Sequence, residues 1–171
     1  MIDLTAVIEK LDDNHKTHMD LYYVGYNVST DKLITDCVML DISKSPEAVD
    51  TDSMPSLSLI EKGNSVILKT GWESKRLTAK YNESPWIDMW LIHHLVKLGV
   101  SLILVDSPGV YGGAEGREHN DMDKYLADNK AYAVENLVNL DKIKKDKFKL
   151  YCFPILSTST NTAPCRVLAE I

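Results

Sequence analysis

The middle of the chain constrains the fold most, because a helix signal stands there between two buried-strand signals. The runs SVILKT (Ser65–Thr70) and SLILVD (Ser101–Asp106) are rich in apolar and β-branched residues, which predicts two buried strands. Ser84 and Pro85 are typical of an N-cap and a first helical residue, and Gly99 is typical of a helix end. The residues that continue an apolar helical stripe between them are Trp86, Met89, Trp90, Leu95 and Leu98. Such a strand–helix–strand unit predicts a parallel, right-handed crossover in an α/β fold.

The remaining segments add strands and short helices around this unit. Further strands are predicted at Ile2–Thr5, Ile34–Ile42, Ala131–Val134, Lys149–Ile155 and Cys165–Ile171. Further helices are predicted at Pro55–Lys62, Asp121–Asn129 and Leu140–Lys147. No internal repeat, low-complexity tract or linker interrupts the pattern, so residues 1–171 are expected to form a single domain with a mixed β core flanked by helices.

Charge and cysteine content limit the classes of function. The net charge is −6 and no basic stripe occurs, so nucleic acid is not an expected partner. No segment approaches the roughly 20 apolar residues needed to span a bilayer, so no membrane association is expected. The cysteines Cys37, Cys152 and Cys165 are odd in number and show no disulfide or metal spacing. Reduced thiols and a cytoplasmic location are therefore predicted.

The run Thr17-His18-Met19-Asp20 carries the clearest chemical signal. In an extended segment, side chains two positions apart leave the backbone on the same side, so His18 and Asp20 could converge on one metal ion. The alternative is a hydrogen-bonded loop that holds no ion, and the spacing alone leaves both readings open.

An ordered set of short phrases extends beyond this run. They are Asp3-Leu4-Thr5, Thr17-His18-Met19-Asp20, Thr70-Gly71-Trp72, Asp106-Ser107-Pro108, Glu135-Asn136-Leu137-Val138-Asn139-Leu140 and Pro164-Cys165-Arg166. In this order and over nearly the whole chain, they resemble the cyclase family, which contains bacterial kynurenine formamidases and isatin hydrolases. The resemblance implies a cyclase-like fold of the swivelling β/β/α type, assembled as a dimer or tetramer. It also implies a metal-dependent hydrolase that cleaves an amide or lactam of a small aromatic substrate.

The family motif His-x-Gly-Thr-His-x-Asp-x-Pro-x-His is matched only in part. His18 and Asp20 match the second histidine and the aspartate, and Glu135 matches a later glutamate ligand. Asn14 stands where the first histidine is expected, and Asp123 stands at the later histidine position. The resemblance thus implies a divalent metal ion, manganese, zinc or magnesium, on a site rich in oxygen donors. Its ligands would be Asn14, His18, Asp20, Asp123 and Glu135.

Other motif positions also depart from the family. Lys16 replaces the glycine, Tyr22 replaces the proline, and Val24 stands where the proton-transfer histidine is expected. Two nearby histidines could compensate. His15 adjoins Asn14, and His119 lies one helical turn before Asp123.

The implied catalytic residues are His18 and Glu135, and Trp72 and Tyr22 would line a pocket for an aromatic substrate. Trp72 could instead be a core residue, and Tyr22 could lie at an interface. The sequence is therefore compatible with two functions. One is a metal-dependent, arylformamidase-like hydrolase of a small molecule. The other is a catalytically degenerate relative that binds a small ligand or serves as a partner in a homo-oligomer.

Overall fold

Within the residues that the structure describes, eight strands form one sheet, and two helices pack beside it. The computed structural model describes residues 1–8, 15–22, 28–111, 116–155 and 161–171. The strands are β1 (Ile2–Asp3), β2 (His18–Asp20), β3 (Ile34–Asp41), β4 (Ser65–Lys69), β5 (Leu102–Val105), β6 (Tyr132–Glu135), β7 (Lys147–Pro154) and β8 (Thr162–Glu170). The helices are α1 (Met89–Leu98) and α2 (Arg117–Asp128). In the described ranges, no helix is long and apolar enough to cross a membrane.

The sheet closes into a seven-stranded barrel because β7, at one end of the strand order, also pairs with β8, near the other end. The strand order is β1-β8-β2-β6-β5-β4-β3-β7, and β7 also pairs with β8, so β1 only extends the pairing along β8. The strands β3, β4, β5 and β6 run parallel, whereas β2, β7 and β8 are antiparallel to their neighbours. The predicted mixed β core with flanking helices is confirmed, and so is the parallel pairing of the strands before and after α1.

Both faces of the central strands are buried, which explains their unbroken apolar sequence. In β4, Ile67 packs into the barrel interior, whereas Val66 and Leu68 pack outward against the helices. The interior cluster draws on every barrel strand, with Met19, Leu104 and Val167 among its fully buried members. The outer cluster combines α1 and α2 with the parallel strands, and this packing fixes the position of α2 over the barrel.

The start of α1 differs from the prediction. Ser84 and Pro85 precede the helix, and the N-cap is Asp88, whose carboxylate accepts a hydrogen bond from the Trp90 N–H. The same carboxylate accepts the Val49 N–H, so a tertiary contact sets the helix start. The predicted apolar stripe is wrong at Trp86, which precedes the helix and is 47% exposed, and at Trp90, which is 56% exposed. The predicted end at Gly99 is confirmed.

Two predicted helices are absent from the described residues. The segment predicted as Leu140–Lys147 contains only a 3-10 turn at Leu140–Lys142, and its last lysine already begins β7. The chain extends there because the Met39 N–H donates to the Asp146 carbonyl, which continues the β3–β7 pairing. Pro55–Lys62 likewise contains a 3-10 turn, at Pro55–Leu59.

Candidate metal centre

Three acidic or imidazole side chains meet where β2 and β6 pair. The register places His18 directly opposite Glu135, and Asp20 follows two residues later on the same strand. Side chains two positions apart share one face of a strand, so Asp20 lies on the face that carries His18. Helix α2 packs against β6 and brings His119 and Asp123 to the same glutamate.

The spacing of the first three donors suits a shared ion better than hydrogen bonds. His18 Nε2 lies 3.6 Å from Asp20 Oδ1 and 3.6 Å from Glu135 Oε2. These separations exceed the roughly 2.7–3.2 Å of an N–H···O hydrogen bond. Two ligands that each bind one ion at about 2.1 Å in tetrahedral geometry are about 3.4 Å apart. One ligand atom from each of the three residues lies within 4.8 Å of the other two.

A second group of three shares Glu135 with the first. Ligand atoms of His119, Asp123 and Glu135 also lie within 4.8 Å of one another, and His119 Nε2 is 3.4 Å from Asp123 Oδ2. The sequence-predicted residues His18, Asp20, Asp123 and Glu135 are thus brought together. His119 was not in the predicted ligand set, although its position one turn before Asp123 is the signal that indicates it.

The orientation of the His18 ring follows from backbone contacts of the same segment. His18 Nδ1 lies 2.8 Å from the Lys16 carbonyl oxygen, so we assign the proton to Nδ1. This tautomer leaves the Nε2 lone pair directed at the two carboxylates. The Asn136 amide donates to the same Lys16 oxygen at 3.1 Å and thereby holds the carbonyl in place.

Glu135 is held by the loop that follows β5, and the residue after it is held by the turn that follows β6. Glu135 Oε1 accepts a hydrogen bond from the Val110 N–H at 3.1 Å, which leaves Oε2 for His18. The next residue, Asn136, adopts a left-handed φ of 62° and is fully buried. Its side-chain oxygen accepts the Tyr81 hydroxyl at 2.9 Å, and its carbonyl accepts the Thr17 hydroxyl at 2.8 Å. The glutamate and the histidine are therefore supported by one network.

Burial makes the charged form of these carboxylates costly. Burial raises the pKa of Asp20 to about 7, and burial together with the charge of Asp20 raises the pKa of Asp123 to about 8. The pKa of Glu135 is raised well above its usual value by burial and by both aspartates. Burial lowers the pKa of His18 and of His119, so both rings favour the neutral form that binds metals.

One carboxylate oxygen of the group is buried and receives no hydrogen bond in the described part of the chain. Asp20 is 7% exposed, and its Oδ2 is buried with no hydrogen-bond partner among the residues that the structure describes. A buried carboxylate oxygen without a donor is costly, because it has lost water and gained nothing in exchange. Neutral imidazoles, crowded carboxylates and this unpartnered oxygen together fit a divalent cation.

A cavity of about 240 Å³ opens beside the donors. Asp20, His119 and Asp123 form part of its wall, and so does Tyr22; that a substrate binds against Tyr22 stays a prediction. Trp72 is not among the described residues that line this cavity, because its indole N–H donates to the Tyr81 carbonyl at 2.8 Å. The contact of Trp72 with a substrate stays a prediction.

The other predicted positions fall away from the donors or outside the described ranges. Asn14, predicted as a ligand, and Val24, at the proton-transfer position, both lie outside the described residues. His15 does not join either group of ligand atoms found in the described part of the chain. Its ring packs edge-on against Tyr81 at 5.1 Å, and its Nε2 pairs with the Asn82 side chain.

Comparison with known proteins yields one family and several related folds. No curated protein matches this sequence. A structure described as a potential metal-dependent hydrolase with cyclase activity has a TM-score of 0.77 at 17% identity, over 98% of this chain and 96% of that chain. Isatin hydrolase A from Labrenzia aggregata has a TM-score of 0.72 at 21% identity, over 91% of this chain and 73% of that chain. A predicted metal-dependent hydrolase from Bacillus stearothermophilus has a TM-score of 0.72 at 19% identity, over 98% and 85%. At such identities the likeness shows a shared fold.

The family assignment comes from the sequence itself. The model of the cyclase family, described as putative cyclase, matches residues 3–110, which is more than half of the chain. This match includes the β2 donors His18 and Asp20. The chain therefore belongs to the cyclase family.

Proposed function

We propose that this protein is a metal-dependent hydrolase that cleaves an amide or lactam bond of a small, aromatic substrate. The observation that carries the proposal is the buried Oδ2 of Asp20, which has no hydrogen-bond partner in the described part of the chain and lies within a group of histidine and carboxylate donors. The family and the related folds supply the reaction class, since relatives of this fold are described as metal-dependent hydrolases and isatin hydrolases.

The residues that would hold the ion are His18 through Nε2 and the carboxylates of Asp20, Asp123 and Glu135. A divalent ion there would act as a Lewis acid and lower the pKa of water from about 15.7 to about 7. His18 is kept in the metal-binding tautomer by its Nδ1 contact with the Lys16 carbonyl. Because the Val110 N–H holds Oε1 of Glu135, its Oε2 stays directed into the centre. In this proposal the Glu135 carboxylate binds the ion through Oε2, and its other oxygen accepts a proton from the attacking water and returns it to the leaving nitrogen.

The substrate class follows from the cavity beside the donors. Its volume of about 240 Å³ admits only a small molecule or one part of a larger one. Tyr22 brings an aromatic ring to the cavity wall, and Asn161 and Thr162 bring polar groups of the kind that can bind an amide. An N-formylated aromatic amine or a small aromatic lactam meets these requirements.

The test measures metal and turnover on the same preparation. The protein is equilibrated with Mn²⁺ or Zn²⁺, freed of unbound metal, and analysed for metal content and for hydrolysis of formylated aromatic amines and lactams. The Asp20→Asn variant should lose both metal and turnover. Asp36→Asn is the matched control, because Asp36 is an exposed strand aspartate that pairs with Lys149 on the barrel's surface. Wild-type protein with neither retained metal nor turnover would sink the proposal.

A second candidate is a non-catalytic member of the family that binds a small ligand. Asn14, Val24 and Asp123 occupy three positions where the family motif has histidines, and this favours the candidate. The informative variant restores all three by Asn14→His, Val24→His and Asp123→His. If the unaltered protein already turns over a substrate at a rate that these changes cannot improve, the non-catalytic reading fails.

We also propose a cytoplasmic homo-oligomer, a dimer or a tetramer. The support is the family membership and the outer face of α1 with the segment before it, where Trp90 is 56% and Trp86 is 47% exposed. The Trp86 ring packs on Tyr111 with ring centroids 4.8 Å apart, so the exposed aromatic surface includes more than the two tryptophans. Light scattering coupled to size-exclusion chromatography tests this, and a mass of one chain at micromolar concentration would contradict it.

A further inference from the structure

We propose that His119 is a metal ligand and that its imidazole makes the centre select zinc, cobalt or a similar transition ion over magnesium and calcium. The inference rests on the proposed function, because it assumes that a divalent ion binds at this centre. It assigns a ligand that the family motif does not contain, one helical turn before the position where the motif has a histidine.

The geometry places His119 in the donor group. Its ligand atom lies within 4.8 Å of ligand atoms of both Asp123 and Glu135. Glu135 also belongs to the group formed by His18 and Asp20, so this glutamate joins both groups. The side chain of His119 is 13% exposed, and the ring forms part of the cavity wall beside Asp20.

A simple surface ion pair on α2 would explain the contact of His119 with Asp123, but the helix itself argues against it. The same helix carries two other pairs with this spacing, Arg117–Asp121 and Lys124–Asp128. All four side chains of those pairs are between 44% and 89% exposed, as expected for pairs on a solvated face. The side chains of His119 and Asp123 are 13% and 10% exposed. His119 and Asp123 are thus the least exposed of the three pairs on this helix, and they lie beside Glu135.

The chemical consequence concerns which ion binds. With His18 as the sole imidazole, carboxylate oxygens would dominate the centre, and such sets suit magnesium, calcium or manganese. With His119 added, two imidazole nitrogens join three carboxylates, and imidazole favours zinc, cobalt and nickel. The preference for transition ions over magnesium should therefore depend on one side chain of α2.

The experiment titrates the metal-free full chain with Co²⁺ and, separately, with Mg²⁺. Loss of a residue that hydrogen-bonds a metal ligand typically weakens metal affinity by about 10–100-fold. Because His119 is proposed as a ligand itself, His119→Ala should weaken Co²⁺ binding by at least that factor. Mg²⁺ binding should change little. The visible absorption of the Co²⁺ protein should also change, because one nitrogen leaves the ion. Asn120→Ala is the control, since Asn120 is the next residue along α2 and lines the same cavity.

A measurement on the unaltered protein does not depend on how a variant folds. Zn²⁺ should protect His119 and His18 from diethylpyrocarbonate, read by mass spectrometry, while exposed His93 on α1 reacts equally with and without the metal. If the wild-type protein binds none of Mn²⁺, Co²⁺ and Zn²⁺, the proposed function fails; if it binds Mn²⁺ but neither Co²⁺ nor Zn²⁺, this inference alone is wrong. If it binds Co²⁺ and Zn²⁺ but His119→Ala behaves like Asn120→Ala and His119 gains no protection, this inference alone is wrong.

Discussion

Replacement of Asn136 by glycine should weaken metal binding, although Asn136 is not one of the proposed metal ligands. Its amide holds the Lys16 carbonyl that fixes His18 Nδ1, and its oxygen accepts the Tyr81 hydroxyl. Outer contacts of this kind typically alter metal affinity by about 10–100-fold, which is about 1.4–2.7 kcal/mol. We expect a loss of that size for Asn136→Gly in a competition titration with a fluorescent Zn²⁺ chelator.

The effect on folding should be smaller than the contacts suggest. Two hydrogen bonds are lost, at about 0.5–1.5 kcal/mol each. Glycine also relieves the left-handed backbone, which a non-glycine residue holds at a cost on the order of 1 kcal/mol. The free energy of unfolding should therefore fall by no more than about 2 kcal/mol, measured by urea denaturation of the metal-free protein.

The matched control is Asn139→Gly. Asn139 has a similar φ of 66° and donates its amide to the Asp3 carbonyl at 2.8 Å, so glycine there removes a comparable bond and a comparable strain. It has no hydrogen bond to the Lys16 carbonyl or His18 in the described part of the structure. Unchanged affinity in Asn136→Gly, or equal losses in both variants, would refute the argument that the network positions His18.

Three further predictions follow from other parts of the structure. Because the pKa of Asp20 is raised to about 7 and that of Asp123 to about 8, the native protein binds more protons than the unfolded chain, whose aspartates titrate near pH 3.9. The metal-free protein should therefore lose stability as pH rises from about 4 to about 8, and Asp20→Asn should show a weaker dependence on pH. Urea denaturation that shows stability rising with pH, or the same dependence in Asp20→Asn, would contradict this. Asp106→Asn should cost about 1.5–3 kcal/mol, because the buried carboxylate accepts the Thr70 N–H, the Thr70 hydroxyl and the Glu73 N–H. Asp141→Asn, at a side chain 85% exposed, should cost under about 1 kcal/mol in the same urea assay. Gly99→Ala should lower the thermal midpoint more than Gly63→Ala: both have a positive φ, but a Cβ at Gly99 would lie 3.1 Å from Lys62 Cγ, whereas one at Gly63 meets nothing within 4 Å. Equal shifts would show that strain alone acts at both sites.

The parts of the fold that local sequence determines were predictable. The strands Ser65–Lys69 and Leu102–Val105 have both faces buried, so they consist of apolar residues without interruption and are visible in the sequence. The start of α1 was not predictable, because Asp88 is an N-cap that also binds the Val49 N–H from a distant loop. Closure of the barrel through β7 and β8 was likewise invisible, since no local pattern specifies which distant strand an edge will pair with.

In the candidate site, too, some residues could be predicted from the sequence and others could not. His18 and Asp20 were predictable because both stand in one short run, and the family phrase before Asn136 indicated Glu135. The histidine of α2 that the structure brings to Glu135 lies outside the motif, so only its helical spacing from Asp123 could point to it. Tyr22 lies in the wall of the cavity, whereas the indole N–H of Trp72 donates to the Tyr81 carbonyl; the contact of either ring with a substrate stays a prediction.

The pairing of His18 opposite Glu135 has a kinetic consequence. The two residues stand near opposite ends of the chain, and only the β2–β6 ladder brings them to facing positions. A slip of this ladder by one residue would turn His18 to the other face of the sheet and leave Glu135 without it. No early, locally folded fragment can therefore hold the ion with its full set of ligands. During refolding, tight metal uptake should appear only once β2 and β6 have paired in register, so a metal-sensitive dye would report when this long-range pairing forms.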